Sequence, residues 1–328
     1  MSTHAAEAVD GRAQANLIAV RDALQRVTVG HEALVERLLI ALLSGGHVLL
    51  EGPPGVAKTR TVKRFAALLD TRFVRVQATP DLLPADLTGT DVLRGDGAFH
   101  FLPGPLFNHV VLVDEVNRAP PKVQSALLEA MGEHQISTGG VTRALEEPFL
   151  VAATQNPLEH EGTYPLPEAQ LDRFMFQVDL ELPDIAHERR ILDLVLGEND
   201  GADAPDTSPL TDARAILQAR HHVADIHLAP AVRDYIVRLV GATRGLGAGG
   251  TAATDIAQAA SPRASIALAH GARARAWLQG RDHATPEDVE ALVPDVLSHR
   301  IALDYRARAE GARARDRLAA IVAATPRV

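Results

Sequence analysis

Residues 52–59 read Gly52-Pro53-Pro54-Gly55-Val56-Ala57-Lys58-Thr59, and their types and spacing point to phosphate chemistry. They follow the apolar run HVLLE and precede the helical pattern TRTVKRFAALLD, the strand-to-helix setting in which G-x-x-x-x-G-K-[ST] operates. In such a loop the backbone N–H groups converge on phosphate oxygens at a helix N-terminus, Lys58 adds a full positive charge, and the Thr59 hydroxyl faces Mg²⁺. Ala57 stands where the motif has its last glycine; right-handed geometry at the first helical turn would accept its Cβ. A Gly/Pro turn with a chance Lys-Thr is the plainer alternative.

Two other apolar runs end in polar groups. HVVLVDE ends in Asp114-Glu115, and FLVAATQ is followed by Asn156. At the carboxyl edge of a parallel sheet, Asp114 would hold Mg²⁺ mainly through its water shell and Glu115 would polarise an attacking water. Asn156 would bond a γ-phosphate or orient that water. The structural alternatives are an Asp cap on the next helix and an Asn-Pro turn. Arg173, in PEAQLDRFMFQVDL, could reach a γ-phosphate held by a neighbouring subunit; its alternative is an ion pair with Asp172.

These groups need elements to hold them. Five strands are predicted, at 47–51, 72–78, 109–115, 149–155 and 175–182. Their runs are apolar without alternation, so both faces are covered, and helical segments lie between them: a doubly covered parallel α/β sheet. Asn16 to Leu43 reads as two helices split at Val29-Gly30-His31, and Gly139-Gly140 as a hairpin turn. After Pro183-Asp184 the strands stop, and all that follows is helical apart from turn-rich stretches at 197–211 and 245–255. The 328 residues suit about two domains. With aromatics at 4% and apolar residues at 46%, the core is aliphatic and alanine-rich, which suits packed helices.

Together the motifs resemble the AAA+ ATPases and, within them, the MoxR group. The similar stretches are VGHEALVERLLIALLSGGHVLLEGPPGVAKT, QATPDLLPADLTGT, FLPGPLFNHVVLVDEVNRAPPKVQSALLEAM, ATQNPLEHEGTYPLPEAQLDRF and ASPRASIAL, spread from about residue 28 to about 305. MoxR-like loops often read GPPGxAKT, and His31 stands where the family usually has Gln. The resemblance implies that residues 52–59 are Walker A and Asp114-Glu115 Walker B. Asn156 would be sensor 1, Arg173 the arginine finger, and Arg263 of SPRAS the sensor 2 arginine at the start of a lid helix. It implies ATP and Mg²⁺ as ligands, a homo-oligomeric ring, six-membered by family habit, and a partner with a von Willebrand factor A domain. The expected domains are an N-terminal helical lead-in at 1–27, an AAA+ core at 28–183 and a helical lid at 184–328. The core would carry a helix-2 insert at about 88–107 and a pre-sensor hairpin at about 135–147, the elements that meet a client. No motif names that client.

Other constellations carry less. His221, His222 and His227 lack the spacing and acidic surroundings of a zinc site. YRARAEGARARDR is interrupted by Glu310 and Asp316 and reads as a solvated face. Glu146, Glu147, Glu159 and Glu161 read as loop acids. The absence of cysteine excludes disulfides and thiol chemistry. No leader and no long apolar run is evident, which suggests a cytoplasmic protein without membrane insertion. A formal charge of −9 argues against a nucleic-acid partner. The reading is an ATPase that remodels a partner protein; its alternatives are an ATP-gated switch with slow turnover and, less favoured, a DNA-dependent motor.

Overall fold

The computed structural model describes residues 3–93, 95, 99–156, 162–199 and 208–327, with backbone alone at 3–10 and 197–199. Most of the turn-rich linker expected at 197–211, and the loop acids Glu159 and Glu161, lie outside the described residues. The elements run α1 (Thr3–Gln25), α2 (Glu32–Ser44), β1 (Val48–Glu51), α3 (Lys58–Leu68), β2 (Phe73–Gln77), α4 (Pro84–Thr88), β3 (Gly89–Leu93), β4 (Phe99–Pro103), β5 (Val110–Asp114), α5 (Pro121–Glu133), β6 (Gln135–Thr138), β7 (Val141–Ala144), β8 (Leu150–Gln155), α6 (Glu168–Leu171) and β9 (Phe176–Asp179). There follow α7 (Ile185–Asn199), α8 (Ala213–Asp225), α9 (Pro230–Ala242), β10 (Ile256–Gln258), α10 (Pro262–Leu278), α11 (Pro286–Glu290), α12 (Val293–Leu297), β11 (Ala302–Leu303), α13 (Tyr305–Ala309) and α14 (Ala314–Ala324).

By their internal contacts these form two compact units. One comprises Gly11–Leu166 and Val178–Leu217; the other comprises Pro167–Gln177, Gln218–Val328 and the first ten residues. All five predicted strands occur, in a sheet of order β2-β5-β8-β1-β9. Val48, Leu49 and Leu50, Val110 to Leu112, and Leu150 to Ala153 are fully buried, as strands covered on both faces must be. The central pairs are parallel, with Glu51 opposite Gln155 and Gln77 opposite Asp114. This register brings the polar ends of β1, β2, β5 and β8 to one edge.

Two small hairpins leave the first unit. β3 pairs with β4, and β6 pairs with β7 through Gly139 and Gly140 at φ 61° and 76°, a turn that needs residues free of a Cβ. The hairpins touch: the Arg143 guanidinium lies 3.8 Å from the centre of the Phe101 ring and also faces Asp91.

The second unit packs α9, α10, α11, α12 and α14. Ser261 caps α10 by accepting the Arg263 N–H at 3.1 Å, and Pro262 takes the first helical position. Ala264, Ala272, Ala274 and Ala276 are fully buried beside Leu268 and Trp277, so small side chains let the helices close on one another. Within this apolar packing sits Asp288, wholly buried, which caps α11 at the Thr285 N–H and accepts bonds from Arg275 at 2.7 Å and Arg281 at 2.6 and 2.7 Å. Burial alone would raise its pKa, but the hydrogen bonds from Arg281, Thr285 and Arg275 outweigh it and hold the carboxyl below its ordinary value. Its stabilising contribution is therefore complete above the unfolded carboxylate pKa and is lost as pH falls through the lower folded value. Asp288→Ala strands two partly buried guanidiniums and is expected to destabilise this unit by about 2–4 kcal/mol at pH 7. Trp277 is the chain's one tryptophan, so denaturant titration followed by its fluorescence checks this directly; an unchanged midpoint would contradict it.

Candidate functional site

The loop between β1 and α3 lines a cavity of about 350 Å³ together with the ends of β2, β5 and β8. Gly52 is needed for close approach, because a Cβ there would meet the Leu180 carbonyl oxygen at 2.4 Å. Gly55 has φ 87° and supplies the left-handed turn. Ala57 corrects the sequence expectation: it takes φ 57° and ψ 21°, left-handed rather than right-handed. Ala57 stands directly before α3 in the loop that lines the cavity, and an L residue holds that geometry at a cost of about 1–3 kcal/mol. Lys58 opens α3 and donates to the Gly52 carbonyl at 2.7 Å, across the mouth of the loop.

Asp114 is buried at the end of β5. Its carboxylate accepts from Thr59 Oγ1 at 3.2 Å, Arg75 Nε at 2.5 Å and Thr154 Oγ1 at 3.1 Å. Thr154 Oγ1 in turn accepts the Glu115 N–H at 2.9 Å. Glu115 takes φ 56°, and its carboxylate accepts from Gln77 Nε2 at 2.8 Å and pairs with Arg118 at 3.2 Å. Asn156 lines the same cavity. The site thus brings together Pro54 to Thr59, Asp114, Glu115 and Asn156. Arg173 and Arg263 belong to the second unit, where both lie near Asp172 along the chain or in space: Arg173 follows it directly, and Arg263 Nη1 is 3.5 Å from its carboxylate.

Arg75, Gln77 and Thr154 were not anticipated. Their signal is positional: Arg75 and Gln77 alternate on β2, and Thr154 precedes Asn156 by two, so each stands near the carboxyl end of a strand neighbouring β5. Beside the loop lies a smaller apolar slot bordered by Val29, His31, Val56, Pro183, Ile191 and Leu194. Burial lowers the His31 pKa, chiefly by desolvation, so its imidazole is neutral at pH 7. A Thr hydroxyl and one carboxylate are a sparse donor set, and no cluster of three His, Asp or Glu suited to a metal occurs among the described residues. Such a pair fits a hard cation that keeps waters and takes its other oxygens from a phosphate ligand, rather than one caged by protein.

A parallel sheet of this order, a glycine-rich loop running into α3 and an acidic end on β5 define an AAA-type nucleotide-binding core. The model of the ATPase family associated with various cellular activities (AAA) matches residues 47–176, and that of the AAA lid domain matches 250–321. The chain is 46% identical to Chaperone MoxR1 of Mycobacterium tuberculosis, over 88% of this chain and 76% of that one. It is 35% identical to Protein MoxR of Methylorubrum extorquens, over 86% of each. A crystal structure of a Cytophaga hutchinsonii protein classed with the ATPases superposes with a TM-score of 0.90 at 40% identity, covering 99% of both chains. The chain belongs to the MoxR family of AAA+ ATPases. No helix among the described residues is long and apolar enough to cross a membrane.

Glu51, the last residue of β1, sits directly before the loop. Burial first, and then the Asp179 carboxylate, raise its pKa to about 7 against the opposing charge of Lys58. Between about pH 4.5 and 7 the folded chain therefore holds a proton that the unfolded chain has released, and stability falls as pH rises through that window. Glu51→Gln is expected to flatten this slope and to raise the urea midpoint at pH 8 relative to the parent chain. Urea titrations at pH 5.5 and 8 followed by circular dichroism test it; an undiminished slope in the variant would refute the assignment.

Proposed function

We propose that this chain hydrolyses ATP with Mg²⁺ at the subunit interfaces of a homo-oligomeric, hexameric ring in the cytoplasm, and that the work remodels or activates a partner protein. The observation that carries the reading is the meeting of the Thr59 hydroxyl with the buried Asp114 carboxylate, 3.2 Å apart, in a cavity also lined by Lys58, Glu115 and Asn156. In this reading the loop amides and Lys58 hold the phosphates, the apolar slot beside His31 takes the base, and Thr59 and Asp114 hold Mg²⁺, Asp114 mainly through water. Bound Mg²⁺ supplies charge neutralisation at the phosphate oxygens. Glu115 accepts the proton of the attacking water, and Asn156 orients that water. Arg173 acts as the arginine finger toward a neighbour's γ-phosphate, and Arg263 as the sensor 2 arginine.

The preference for ATP rests on family membership. So does a partner with a von Willebrand factor A domain, and the likeness to a protein named a chaperone supports the remodelling role. Leu93, Phe99 and Leu102 on the β3–β4 hairpin are 60–73% exposed, which supports that insert as a surface for the client.

Lys58→Ala is expected to abolish nucleotide binding in a fluorescent-nucleotide titration; micromolar affinity in the variant would overturn the phosphate-loop assignment. Glu115→Gln is expected to bind ATP normally and to lose hydrolysis by about 100-fold or more, as for a general base. If that variant still activates the partner fully, turnover is not the output and the chain is an ATP-gated switch.

A further inference from the structure

The turn that carries Arg173 is fixed by a residue far away in sequence. Arg300, whose side chain is 2% exposed, directs its whole guanidinium at this turn and at the end of α12. Nε donates to the Asp172 carboxylate at 2.9 Å, Nη2 to the Asp172 carbonyl at 3.0 Å and the Phe174 carbonyl at 2.6 Å, and Nη1 to the carbonyls of Met175 and Val296. The neighbouring His299 is half-buried, and desolvation holds its pKa well below the ordinary imidazole value; its Nε2 donates to the Phe174 carbonyl at 3.0 Å. Backbone carbonyls on both sides of Arg173 are thereby clamped, with Phe174 and Met175 buried beneath it. The Asp172 carboxylate also accepts from Ser261 Oγ at 2.9 and 3.0 Å, and Arg263 reaches it at 3.5 Å with a half-exposed side chain.

A buried guanidinium is a poor choice for stability alone, since well-packed apolar residues commonly replace buried ion pairs without loss. What it provides is direction: a planar fork of five donors fits several fixed acceptors in one geometry. Direction matters most for a group that must meet transition-state charge, where a misplacement of about 1 Å can cost about 100-fold in rate.

We infer that Asp172 and Arg300 are the positioning pair for Arg173, holding its turn in the geometry needed to reach a neighbour's nucleotide, with Arg263 tied to the same carboxylate. The inference rests on the reading of Arg173 as an arginine finger. It requires no direct contact of Asp172 or Arg300 with nucleotide.

The test is complementation between subunits. Asp172→Asn, Arg300→Lys and Arg173→Ala are prepared separately; each is expected to bind a non-hydrolysable ATP analogue within about threefold of the parent and to lose at least tenfold in kcat. Each is then mixed with Glu115→Gln subunits, which have a silent site and an intact Arg173 turn. Hydrolysis in the mixture well above the sum of the two separate preparations is expected for all three variants, because an intact turn from one subunit then serves the sound site of the other. If Arg300→Lys does not fold, Asp172→Asn carries the test, since it keeps the side-chain shape and an acceptor oxygen. Rescue of Arg173→Ala without rescue of Asp172→Asn would overturn the positioning role and leave the finger intact. Full kcat in Asp172→Asn would overturn it too. Failure of Arg173→Ala to be rescued would instead remove the finger reading, and the positioning role with it.

Discussion

The first unit depends on how one buried carboxylate is satisfied. Asp114 is 5% exposed and ionised groups in such places are costly unless every lone pair is engaged. Thr59, Arg75 and Thr154 provide the partners, and they come from α3, β2 and β8. Those three elements surround β5 only because the strands run parallel in one register. A shift of any strand by one residue would turn its side chains to the opposite face and leave the carboxylate without a donor. The same register brings Glu115 and Asn156 to the cavity, so the condition that makes the sheet tolerate its acid is also the condition that assembles the site.

The second unit solves a related problem with different means. Its interior is largely alanine and leucine, which allows close helix packing but offers little to define how the segments meet. Two buried ionic centres provide that definition: Asp288 between Arg275 and Arg281, and Arg300 against the turn at 172–175. The first ties α10 to α11 over 7 to 13 positions and the second spans 128, and each uses arginine, whose fixed fork selects one arrangement where apolar contacts would accept several.

Much of this was legible in the sequence. Continuous apolar runs announced the strands, and the spacing from Gly52 to Thr59 announced the loop, because both are local patterns with a local physical cause. That Asp114, Glu115 and Asn156 would come to one edge of the sheet could be read because each ends such a run, and all three line one cavity. Arg75 and Thr154 carry only the weak signal of a place near a strand's carboxyl end, and Arg300 carries none, because their roles arise from pairing across 39, 40 and 128 positions. Ala57 failed for the opposite reason. Its residue type argued for the common conformation, and the loop around it imposed the rare one.

That exception shows where the fold tolerates strain. Four non-glycine residues among those described have positive φ: Ala57, Asp70, Glu115 and His134. His134 closes α5, and Asp70 follows the end of α3, both places where a left-handed residue ends a helix and satisfies its last carbonyls. Ala57 and Glu115 instead stand at the beginnings of helical turns, one at the end of the glycine-rich loop and one just after β5. No helix-ending carbonyl gains from them. What both share is a sharp reversal at a residue that lines one cavity. Strain of this kind persists only where surrounding structure over-determines the backbone, and here the fully buried residues of β1, β5 and β8 do so from below. The rigid sheet is therefore what allows the site to hold two unfavourable backbone conformations side by side, and their placement argues that the aim of these groups, more than local stability, governs the loop.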